Sequence, residues 1–82
     1  MRITEIQIEG TNGNTVTVRR KGARWAVEAD ILTPAGRAHR EVNGADQSLW
    51  DLAVHIADAL EPQPFHPHQA VSYCSALRSL MA

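Results

Sequence analysis

The hydrophobic period of the chain changes once, at Asn43-Gly44-Ala45-Asp46. Before that break, apolar side chains recur every second residue; after it, they recur at helical spacing. A single switch of this kind predicts strands first and helices second, the pattern of an α+β domain. The strands are joined by stretches too short for parallel crossovers, which need a dozen or more residues, so the sheet must be antiparallel. The expected fold is an antiparallel β-meander of three to four strands followed by two α-helices packed on one face, β-β-β-β-α-α.

The first strand is ITEIQIE (residues 3–9), with Thr4, Ile6 and Ile8 alternating against Glu5, Gln7 and Glu9. GTNGN follows, a hairpin loop rich in residues that tolerate positive φ. In TVTVRRK (15–21), Val16 and Val18 face one way and Thr15, Thr17, Arg19 and Lys21 the other. In RWAVEADIL (24–32), Trp25, Val27, Ala29 and Ile31 share the inward face. Thr33-Pro34-Ala35-Gly36 carries the signature of a type I turn. RAHREV (37–42) reads as a short edge strand, with Ala38 and Val42 inward and Arg40 between them. Charged side chains on such an edge discourage unwanted pairing.

Asp46 is a candidate N-cap for a helix over 46–61. Its apolar stripe is Leu49, Leu52, Ala53, Ile56 and Leu60, widened by Trp50 and Val54. Pro62 and Pro64 punctuate the connector that follows (62–66), and Pro67 suits the first turn of a second helix over 67–82. Ala70, Tyr73, Cys74, Leu77, Leu80 and Met81 form the inner stripe of that helix. The whole of 1–82 reads as one domain, with the meander occupying 1–42.

The chemistry-bearing constellations are sparse. Asp51, His55 and Asp58 lie along one helix face, where a solvated charged surface is the expected outcome. His66, His68 and Cys74 have zinc-ligand chemistry, with His55 as a fourth donor, but Cys74 falls on an apolar stripe and reads as a small core residue. No phosphate-binding glycine loop, dinucleotide fingerprint or nucleophile elbow occurs. The expectation is a protein that is not an enzyme and carries no metal or cofactor.

Formal net charge is −1, without the cationic excess that duplex binders use to neutralise phosphates. The opening segment lacks the apolar run of a signal peptide, no stretch approaches a membrane span, and the single cysteine fits a reducing compartment. A cytoplasmic protein without membrane contact is expected. Candidate contact residues are the cations of the central hairpin, Arg19, Lys21 and Arg24, with Arg37 and Arg40 nearby, and Trp50. For Trp50, sealing the gap between the helices is favoured over exposure.

The β-β-β-α order of residues 15–60, with its basic hairpin and strand tryptophan, resembles in arrangement alone the sheet-in-groove DNA readers such as plant AP2 domains and integrase arm-binding domains. That resemblance implies nucleic-acid binding through the hairpin end around residues 19–24. Glu28 and Asp30 on the same face oppose it. The preferred expectation is a small protein-interaction module, of the kind found among accessory factors and inhibitors from phages and mobile elements. The sparsely protected edge of the first strand offers homodimerisation or capture of a partner strand.

Overall fold

The computed structural model describes residues 4–21 and 26–81. Four strands, β1 (Glu5–Glu9), β2 (Thr15–Lys21), β3 (Ala26–Thr33) and β4 (Gly36–Asn43), precede helices α1 (Asp46–Leu60) and α2 (Ala70–Met81). A 3₁₀ turn, Pro67–Gln69, leads into α2. The strands form one antiparallel sheet in the order β1-β2-β3-β4, so each strand neighbours the next in sequence. The architecture is the expected α+β arrangement, and the fourth strand is fully formed.

Register decides which side chains meet. On the helix side run the rows Ile6–Val18–Ala29–Arg40 and Ile8–Val16–Ile31–Ala38. Val16, Val18, Val27, Ala29 and Ile31 are buried beneath Leu49, Leu52, Ala53, Ile56, Ala57 and Leu60 of α1 and Ala70, Cys74, Leu77 and Leu80 of α2. Apart from Ala57, the buried helix residues belong to the apolar stripes the spacing predicts. Each row ends in solvent at β4, and only Val42 of that strand packs against the core. Ala38, expected inward, is therefore exposed: it faces the helix side at an edge the helices do not cover.

Turn chemistry follows the residues. Between β3 and β4, Pro34 and Ala35 keep negative φ, and Gly36 absorbs the strand twist at φ +140°. The Thr33 hydroxyl accepts a hydrogen bond from the Ala35 N–H at 3.2 Å. Asp46 does not cap α1. The N-cap is Ala45, without a side-chain cap bond, and Asp46 is already helical. The Asn43 side chain is what shapes this turn, its Oδ1 accepting the Ala45 N–H at 3.0 Å. Asp46 instead places a negative charge at the positive end of the helix and meets Arg78 of α2 at 3.7 Å.

The prolines of the connector end α1, and Pro67 opens the 3₁₀ turn where its missing N–H does no harm. Tyr73 reaches back from α2 to donate its hydroxyl to Glu61 at 2.6 Å. Burial of the ring, joined by this bond, pushes the phenol up to about 12. Among the described residues, no helix is long and apolar enough to cross a membrane.

Candidate functional site

Helices on one side leave the other side of the sheet open, and the register sorts its side chains into rows. Glu5, Arg19, Glu28 and Glu41 form one row. Gln7, Thr17, Asp30 and His39 form the next, and Glu9, Thr15, Leu32 and Arg37 the third. Lys21 lies opposite Ala26, one step beyond the first row.

These rows make an interlocked lattice of opposite charges. Arg19 Nη1 donates to Glu28 and to Asp30, at 3.1 Å each, and its Nη2 lies 3.9 Å from Glu5. Lys21 pairs with Glu41, and Arg37 approaches Asp30 at 3.3 Å. His39 Nδ1 lies 2.8 Å from Asp30, and its Nε2 lies 3.3 Å from Glu41 and 3.7 Å from Glu28. With a carboxylate at each ring nitrogen, the imidazolium is the form that donates to both, so the His39 pKa is raised. The hydrogen bond from His39 is the main force holding the Asp30 carboxyl down to about 2, with Arg37 and Arg19 adding to it against the cost of burial. Lys21, then His39, lowers Glu41.

Arg19, Lys21 and Arg37 share one face, but Arg37 lies in the third row, toward the opposite end of the sheet from Lys21, and each of the three is committed to a carboxylate. Arg40 does not join them. It pairs with Ala29 in a helix-side row and so projects from the opposite face of the sheet. Arg24, and Trp25 with its expected inward orientation, lie outside the described residues. Trp50 corrects the packing expectation: it is 39% exposed and borders a shallow depression with Asn43, Ala45 and Asp51. At position 50 it sits at the margin of the buried stripe of α1, between buried Leu49 and exposed Asp51.

The sequence reading passed over Leu32. Continuing the alternation past Asp30 puts this leucine on the open face, where it is 56% exposed. It lines a depression of about 250 Å³ with Gln7, Thr15, Thr17, Asp30 and Arg37. The signal was present in the period-two pattern and needed only one more step along the strand.

The metal reading of the connector is not assembled by the fold. Cys74 is buried in the core, while His66 and His68 stack on each other in solvent, centroids 5.4 Å apart. Ligand-type atoms converge elsewhere, at Glu28, His39 and Glu41, within 4.8 Å of one another. Arg19 and Lys21 already neutralise those two carboxylates. Of the Asp51, His55 and Asp58 triplet, the two acids are exposed, as a solvated face requires.

Comparison with protein-family models, with curated proteins and with solved structures finds no match to this chain. The functional reading therefore rests on the geometry of the sheet face.

Proposed function

We propose that this chain is a small non-enzymatic interaction module that binds another protein through the open face of its sheet. The observation that supports this reading most is the commitment of Arg19, Lys21 and Arg37 to carboxylates. A phosphate backbone would have to displace Glu28, Asp30 and Glu41 from these cations and then lie against the released acids. Among the described residues, acids outnumber lysines and arginines on this face. A protein surface of mixed charge meets such a lattice without that penalty, and charge arrangement then sets which partner is tolerated. Leu32 and the depression beside it add an exposed apolar contact at one end of the charged face, bordered by Asp30 and Arg37. Cytoplasmic residence, and a role as an accessory factor or inhibitor from a phage or mobile element, belong to the same proposal.

The test is affinity capture from lysate with and without nuclease, using the parent and a Leu32→Arg variant. A stoichiometric protein complex that survives nuclease and is lost in Leu32→Arg is the expected result. The nucleic-acid reading wins instead if the purified protein binds DNA or RNA with affinity that falls steeply with salt. Loss of that binding in an Arg19/Lys21/Arg24 triple alanine variant would complete the reversal.

A further inference from the structure

We propose that β4 is a self-pairing edge, through which two copies join antiparallel about a two-fold axis at His39. The two four-stranded sheets would then run on as one. This inference is independent of the partner bound on the open face.

β4 runs Gly36–Asn43 in unbroken one-to-one register with β3, with no proline or bulge inside it, and nearly all of it is exposed. Its outer backbone groups therefore form a regular template for another strand. Its charges, at first sight a protection, become a code when a second copy is the partner. A two-fold axis perpendicular to a sheet keeps each face on its own side, so a residue must pair with one of the same parity. Centring the axis on His39 sets Arg37 opposite Glu41 of the second copy, and Glu41 opposite Arg37, at both ends. On the helix side, Ala38 meets the stem of Arg40 from the second copy and gains the cover it lacks in the single chain. Centring on Arg40 would set arginine against arginine, and centring on Ala38 would shorten the paired segment. Centring on His39 keeps the full length and pairs Arg37 with Glu41 twice; the two His39 rings then face each other, each balanced by Asp30 and Glu41 of its own sheet.

The other edge, β1, is shorter, and its longest register is the unfavourable one. Pairing β1 with itself about Gln7 sets Glu5 opposite Glu9 at both ends, and like charges directly opposite are destabilising. The sequence expectation of dimerisation through β1 thus gives way here to β4. Arg37 and Glu41 have room for a second partner: their side chains remain 68% and 46% exposed despite the contacts with Asp30 and Lys21.

Sedimentation over a range of concentrations tests the proposal, with circular dichroism to confirm folding of each variant. The parent is expected to show a monomer–dimer equilibrium. Arg37→Glu and Glu41→Arg, each placing like charges opposite one another at both ends, are expected to weaken association about tenfold or more. An equimolar mixture of the two should associate again, because the facing pairs between positions 37 and 41 are then of opposite sign at both ends. His39→Cys gives a readout that survives if those variants fold poorly. Residues directly opposite in an antiparallel pair lie within disulfide range, so mild oxidation should link two copies through position 39. Cys74 is buried and does not compete. A parent that stays monomeric at every accessible concentration overturns the proposal. So does cross-linking through Gln7→Cys in place of His39→Cys.

Discussion

Asp30 is where the open face is tied together. Three cationic side chains from β2 and β4 converge on its two oxygens, and only 12% of its side chain remains exposed. Such a carboxylate is held ionised by its donors, and His39 is held protonated in return. The pair predicts a specific response to Asp30→Asn. The amide keeps the shape but removes the charge, so the His39 pKa should fall toward its ordinary value of 6.5. Histidine ring resonances followed by NMR across pH report this directly; an unchanged His39 titration would mean that Asp30 does not hold the ring. At the same scale, Arg40 shows why side-chain type alone misleads. Its charge suggested membership of the basic cluster, and its parity in the strand excludes it.

Between elements, the joint that matters most links the β1–β2 loop to the end of α1. Asn12 and Asn14 each donate a side-chain amide to the Ala59 carbonyl, at 3.0 and 2.9 Å, satisfying one of the acceptors a helix leaves open at its C-terminus. Gly10 makes the approach possible. A Cβ there would lie 2.7 Å from the Leu60 carbonyl oxygen and 3.0 Å from its Cα, both backbone atoms that cannot swing aside. Gly10→Ala is therefore expected to destabilise the fold by about 1–3 kcal/mol, the usual cost of overpacking, measured by urea denaturation. This joint was invisible in the sequence: GTNGN announced a hairpin loop and nothing of the helix it would touch. The elements themselves were legible, because period-two and helical spacing report burial on one side. What escaped was whatever depends on the third dimension. Trp50 seemed destined for the seam from its place at the side of the apolar stripe, but that side of α1 stays open to solvent. Asp46 looked like a cap by residue type, but the backbone enters the helix one residue earlier.

For the whole molecule, the charged lattice makes stability depend on pH in opposite directions. The lowered pKa of Asp30 contributes stability that is fully present above about pH 4 and lost as pH falls toward 2. The raised pKa of His39 contributes stability that is fully present below about 6.5 and lost as pH rises through the folded value. Both contributions coexist between about pH 4 and 6.5. The denaturation midpoint of the parent relative to Asp30→Asn should be highest in that window, and a flat difference across pH would sink this account. The strict sequential order of the sheet also has a consequence for how the chain folds. The β1–β2 and β3–β4 hairpins close short loops at little entropic cost, so each can form from its own sequence. The contacts from Asn12 and Asn14 to Ala59 span 47 and 45 residues and gain their partner only when a helix already stands over the sheet. They act as a late latch. The stability lost in Gly10→Ala should accordingly surface as faster unfolding, with the folding rate nearly unchanged.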